Sequence, residues 1–200
     1  MPLVRTLAEG LRLEIPKIRG SRFIATAERV ESSAQAMAFL ERLRQEFADA
    51  THNCFAWVLD AQTLRSSDDG EPAGTAGRPI LQEIQGRDLV EVAVVVTRYY
   101  GGTKLGTGGL IRAYGEAAGT ALDQAQILEV PVVKTLRLVY GYEFSGAVKG
   151  VLTARQAIPG TAEYGAMVDQ EVAVPIENLE ACQQDLVDAT HGRIRFIDPR

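Results

Sequence analysis

Apolar and polar positions alternate early in the chain. Leu11, Leu13 and Ile15 recur at every second residue until Pro16 interrupts them, which predicts a strand. After the Arg19-Gly20 turn, RFIATAERV predicts a second strand. The rhythm then changes. Met37, Leu40, Leu43 and Phe47 recur at helical spacing, charged residues fill the other face, and Ser32-Ser33 stands where an N-cap belongs. NCFAWVLD reads as a strand, SSDDGEPAGTAG as a long polar loop, and RPILQEIQG as a short helix starting near Thr75. Val92 to Val96 is an unbroken apolar run, the pattern of a strand buried on both faces. GGTKLGTGG is a turn-forming stretch. A helix follows, with Leu110, Tyr114, Ala117, Ala118, Ala121, Leu122 and Ala125 facing inward.

Beyond Pro131 the elements run strand, helix, two strands, helix, strand. That β-α-β-β-α-β order is the ferredoxin-like pattern. The expected architecture is therefore α+β in two domains, residues 1–131 and 134–200. Tyr140 and Tyr142, two apart, are expected on one strand face.

Composition narrows the function classes. Of the 200 residues, 46% are hydrophobic and 24% charged, with a net charge of −5. Acids outnumber bases in both halves, which excludes a basic nucleic-acid module in bulk and leaves only a local patch. No apolar run approaches the roughly 18 residues of a membrane helix, and the N-terminus lacks a signal-peptide core. The expectation is a soluble, cytoplasmic protein without membrane partners. Cys54 and Cys182 make no CxxC motif, so neither a disulfide framework nor a zinc site is expected.

The chemistry concentrates in TRYYGGTKLGTGGLIRAYGEA, residues 97–117. Gly101 and Gly106 have Walker spacing, but Thr107-Gly108 replaces the required Lys-Ser/Thr. Gly106 and Gly108 begin a dinucleotide fingerprint, but Ile111 replaces its last glycine. The physics still suits an anion: glycines allow close backbone approach, successive amides can form a nest, and a helix N-terminus follows. Arg98, Lys104 and Arg112 lie nearby, with no acid from 98 to 115. A tight turn, with its charges paired to an acidic loop, accounts for the same residues. In that loop Asp68, Asp69 and Glu71 form either a turn with salt bridges or hard-oxygen ligands. No metal is assigned. His52 and Asn53 are candidate site-liners, and Ser67 and Thr75 are polar neighbours. A His52–Cys54 nucleophile pair lacks an orienting third group. Tyr99 and Tyr100 are candidates for base stacking or for packing.

Four blocks, SRFIATAERVES, DATHNCFAW, RSSDDGEPAGTAGRP and VVVTRYYGGTKLGTGGLIRAYGEAA, occur in an order and spacing that closely resembles the IMPACT family, in its bacterial YigZ-like branch. The family signature falls on Arg98, Tyr99, Tyr100, Gly101, Gly102, Lys104, Gly106, Gly108, Gly109 and Arg112. It falls also on His52, Asn53, Ser67, Asp68, Asp69, Gly70, Glu71, Pro72, Gly74, Thr75, Gly77 and Pro79. The resemblance implies an N-terminal domain like the second domain of small-subunit ribosomal protein five. It also implies a ferredoxin-like C-terminal domain like the last domain of elongation factor G. Eukaryotic members act in translational control through a further N-terminal domain. The family motifs begin near the start of this chain, so that mode is not expected here.

The resemblance implies a translation-associated protein that binds ribosome or RNA through the basic Gly-rich loop. The alternative is an enzyme or sensor for a phosphorylated small molecule or nucleotide at the same loop, with Asp68 or Asp69 holding Mg²⁺. No catalytic residue, cofactor or oligomeric state is assigned.

Overall fold

In the computed structural model, which describes residues 2–197, the valine run is the central strand of an antiparallel sheet. The elements begin with β1 (Leu3–Leu7), β2 (Leu11–Glu14), β3 (Arg22–Arg29), α1 (Ser33–Glu46), β4 (His52–Val58) and β5 (Leu64–Ser67). Next come α2 (Gly77–Gln85), β6 (Val92–Tyr99), α3 (Thr107–Gln124) and β7 (Ile127–Pro131). The chain continues through β8 (Val133–Tyr140), α4 (Ser145–Ala154), β9 (Ile158–Tyr164), β10 (Val168–Pro175), α5 (Leu179–Ala189) and β11 (Arg195–Ile197). It divides into two units: Val4–Val130, and the chain from Pro131 on together with the segment up to Leu3.

The main sheet of the first unit has the order β2-β3-β6-β4-β5. Side chains alternate across a strand, and here both faces are covered. Cys54, Ala56, Val58, Val92, Val94 and Val96 pack with α2 and α3 residues such as Ile80, Ile84, Tyr114 and Ala118. Phe55, Trp57, Ala93 and Val95 pack against α1 through Phe39, Leu40 and Leu43. Ser32 caps α1, its side chain accepting from the Gln35 amide. The helix-covered sheet is consistent with the ribosomal-protein fold that the resemblance implies. In the second unit the sheet order β11-β8-β10-β9, with a core of Leu138, Tyr140, Val148, Val172, Cys182 and Leu186, is consistent with a ferredoxin-like fold.

Several local expectations change. Met37 is 40% exposed; the buried stripe of α1 is Ala36, Phe39, Leu40 and Leu43, one helical position away. Tyr142 does not share a strand face with Tyr140. The strand ends at Tyr140, and Tyr142 opens a 3-10 turn with its hydroxyl donating to the Gly165 carbonyl. Strands β1, β5 and β7 are additional to the expected set. β5 is largely exposed and β7 mostly half-buried, while β1 buries only its last two residues, Thr6 and Leu7, so none of the three shows a clean alternation to read. Among the described residues no helix is long and apolar enough to cross a membrane.

Candidate functional site

Phe23, Arg98 and His52 form one row across β3, β6 and β4. They share the parity of Val96 and Cys54, so they face the α2–α3 side of the sheet, at the end where the Gly-rich loop leaves β6. The Arg98 guanidinium is buried there. Its Nη1 donates to Glu71 Oε1 at 2.5 Å and its Nη2 to Ser21 Oγ at 3.2 Å. Its Cζ lies 5.5 Å from the Phe23 ring centre and 5.4 Å from that of Tyr100. Glu71 Oε1 also accepts from the Tyr114 hydroxyl at 2.7 Å, and His52 Nε2 stands 3.8 Å away. His52 Nδ1 is 2.8 Å from the Asp69 carbonyl oxygen, which can only accept, so Nδ1 carries the proton of that bond.

The acidic loop is occupied by its own architecture. Asp68 accepts from three amides, those of Gly74, Ala76 and Gly77, and so caps α2 from outside the helix. Burial alone would raise its pKa. The three N–H donors outweigh burial and hold it below the ordinary Asp value. Asp69 accepts from the Asn53 amide and from Arg44, tying the loop to β4 and α1. Ser67 Oγ accepts from the Asp69 amide, Thr75 Oγ1 donates to the Pro72 carbonyl, and Asn53 Oδ1 accepts from Thr97. Asp68 and Asp69, the carboxylates considered for Mg²⁺ in the alternative reading, are both held by protein donors. Among the described residues no group of three or more His, Cys, Asp or Glu is placed to hold a metal. Cys54 is buried and donates to the Asp68 carbonyl; burial drives its thiol pKa well above the ordinary range, which removes the thiolate a nucleophile needs.

The three cations separate. Arg98 is paired inward with Glu71. Lys104 and Arg112 are exposed and have no ion-pair or hydrogen-bond partner among the described residues. Between them lies the first turn of α3, with Gly106 at the cap, no side-chain cap and no acid in the turn. The leading amides of any helix lack intrahelical acceptors, so this turn presents donors and the positive end of the dipole to solvent. The glycines have distinct causes. Gly101 packs against Gly20 so closely that a Cβ on it would lie 2.0 Å from the Gly20 carbonyl carbon. Gly102 and Gly106 have φ of +85° and +73°, which favours glycine. Gly109 lies tight against Leu105, where a Cβ would stand 3.1 Å from that residue's own. Gly108 has no such reason: a Cβ there would meet only Arg112 Nη1, at 3.8 Å.

Tyr99 and Tyr100 part company. Tyr100 is 45% exposed and borders a cleft of about 330 Å³ with Arg98, Glu71, Pro72, Lys104, Leu105, Thr107 and Leu110. Tyr99 points to the opposite face; its hydroxyl donates to Asp49, and Arg22 lies over its ring. Arg112 borders a different groove, with Glu83 and Glu116. Sequence reasoning assigned no role here to Ser21 or to the Tyr114 hydroxyl. The one available signal was a phenol in an apolar helical stripe, since a buried tyrosine hydroxyl needs a partner.

The family described as Impact N-terminal domain matches residues 19–122, which hold the whole cleft. The chain is 36% identical to IMPACT family member YigZ of Escherichia coli (strain K12) over 187 residues, covering 92% of each. It is 34% identical to IMPACT family member YvyE of Bacillus subtilis (strain 168) over 178 residues, covering 88% of this chain and 82% of that one. A crystal structure described as that of a hypothetical protein superposes with a TM-score of 0.74 at 34% identity, covering 100% of this chain and 98% of the other. The match of domain, length and fold together places this chain in the IMPACT family, in its YigZ-like branch.

Proposed function

We propose that this chain is a translation-associated protein that contacts RNA phosphates, in the setting of the ribosome, through Lys104, Arg112 and the first turn of α3. One observation carries the reading. Of the three cations around the loop, the acidic loop neutralises only Arg98, and the other two flank an uncapped, acid-free glycine turn. A phosphate placed there receives amide hydrogen bonds, the helix dipole and one or two side-chain charges together. The net charge of −5 opposes tight binding to free RNA at large. A composite ribosomal surface, where protein and RNA both contribute contacts, suits that balance better.

Sedimentation with ribosomes at low and moderate salt tests this. The wild type co-sediments at low salt and is released as salt rises, because phosphate contacts displace counterions. The double variant Lys104→Ala/Arg112→Ala is released at lower salt, its salt slope reduced by roughly one per lost phosphate contact. Absence of wild-type co-sedimentation at every salt concentration overturns the reading.

A further inference from the structure

We propose that the cleft beside α3 holds one nucleotide unit, a nucleoside 5′-monophosphate either free or as a residue of an RNA strand. The phosphate sits on the α3 turn and Lys104, and the base lies against Tyr100. The inference rests on the phosphate-contact reading of the same turn and adds the class of ligand.

The cleft floor is polar and incomplete. The Arg98 and Glu71 side chains are only 6% and 4% exposed. Yet Arg98 Nε is buried without a hydrogen-bond partner, and no other buried side-chain nitrogen or oxygen among the described residues is left so. Glu71 takes the Arg98 and Tyr114 hydrogen bonds at Oε1. Buried polar atoms are rarely left unpaired, because each costs about 1–3 kcal/mol. That unpaired donor, in a side chain that lines the cleft, marks a contact that the chain does not complete by itself.

The remaining walls define what completes it. Tyr100 offers a half-exposed aromatic ring already braced by the Arg98 guanidinium. Pro72, Leu105 and Leu110 are apolar. The volume of about 330 Å³ falls near the lower end of small-ligand clefts, which suits one nucleotide rather than a folded RNA element. Charge sets the orientation. The Glu71 carboxylate repels a phosphate, so the anionic end goes to Lys104 and the α3 amides, and a neutral, donor-bearing end goes toward Glu71. A bare anion satisfies only one half of this cleft. A phosphosugar leaves the ring without a stacking partner. A nucleotide carries all three features: phosphate, hydrogen-bonding edge and flat face. Gly108 agrees with this placement, since the fold does not require a glycine there and its absent side chain leaves the leading amides uncovered.

Isothermal titration of the full chain tests the proposal. The probes are the four nucleoside 5′-monophosphates, the matching nucleosides, inorganic phosphate and a six-nucleotide single-stranded RNA. At least one monophosphate binds about tenfold or more tighter than its nucleoside or phosphate alone. Tyr100→Ser weakens the nucleotide by about tenfold, in the range of one lost base stack, and leaves phosphate unchanged. Lys104→Ala weakens nucleotide and phosphate alike. Both sites are exposed, and unchanged melting temperatures confirm that the variants fold. Equal affinity for monophosphate and RNA identifies the free nucleotide as sufficient; tighter, Tyr100-dependent RNA binding identifies the strand. Absence of binding to every monophosphate and to the RNA, or binding indifferent to Tyr100→Ser, overturns the nucleotide site. Ribosome co-sedimentation that persists in that case leaves the phosphate-contact reading standing. Nucleotide binding without co-sedimentation leaves the nucleotide site standing and overturns the ribosome setting alone.

Discussion

At the scale of single residues, Glu71 matters most. It is the counter-charge of a buried arginine and the acceptor for the Tyr114 hydroxyl, with its own side chain only 4% exposed. Removing one member of such a pair strands the other charge in a low-dielectric wall. Glu71→Ala therefore destabilises by about 3–5 kcal/mol, read from urea unfolding. Replacing the pair together, Arg98→Met with Glu71→Met, recovers most of that loss, because the desolvation cost of both ions disappears. Equal destabilisation of the single and double variants would show that the charge pairing is not the cause. Gly108 behaves in the opposite way. It lies in the first turn of α3 with open space around it, so Gly108→Ala raises stability by about 0.5–1 kcal/mol through helix propensity. The same change weakens nucleotide binding and ribosome association, since a methyl group now covers the amides. A variant that gains stability and keeps full binding would remove Gly108 from the site.

At the scale of elements, α2 shows how a helix can start without a local cap. The residue in the cap position is Ala76, which has no side chain to offer. Asp68 supplies the acceptors instead, from the far side of the loop. Its folded pKa lies below the unfolded Asp value of ~3.9. The stabilisation from ionised Asp68 is therefore complete above that pH and is lost as pH falls through the lower folded value. Asp68→Asn should melt below the wild type at neutral pH, and the gap should close as the pH falls below ~4. Thermal melts of both proteins across that range check it; a gap that stays constant into acid would sink the capping account. The loops around β6 show a second dependence between elements. The β2–β3 turn and the β6–α3 loop meet through Gly20 and Gly101 with no room for a side chain, so the Gly-rich loop is positioned partly by a turn far earlier in the chain. Periodicity located α1, α3 and β6 because each buries a continuous stripe or run. It missed β5, LRSS, because that edge strand is mostly exposed and polar.

At the scale of the whole molecule, the chain divides into two units with separate hydrophobic cores. The cleft and every residue assigned to it lie in Val4–Val130. Leu186 is fully buried in the other core. Leu186→Ala removes about 2–5 kcal/mol there, and hydrogen exchange should show amides of β8, β10 and α5 losing protection. The nucleotide affinity of the cleft should not change. A loss of affinity in this variant would mean that the second unit contributes to the site. The acidic overall charge acts at this scale as well, because it makes binding depend on local geometry rather than on a general attraction to nucleic acid.

The sequence by itself determined the α+β class, the central valine strand, the main helices, the family resemblance and the position of the chemistry in two loops. Those features follow from local periodicity and from residue types at fixed spacing, which need no knowledge of distant contacts. Only the tertiary structure decided the roles of the charges. Arg98, Lys104 and Arg112 are alike in composition, yet one is buried against Glu71 while two stay in solvent. Asp68, Asp69 and Glu71 are neighbours, yet one caps a helix, one ties a loop to a strand and one neutralises an arginine. The physical reason is that burial and pairing depend on what packs across the sheet from elsewhere in the chain. The glycine stretch had two readings, phosphate turn or charge-paired connection. The fold divides it: Arg98 turned inward to the acidic loop, and the α3 turn with Lys104 and Arg112 left open.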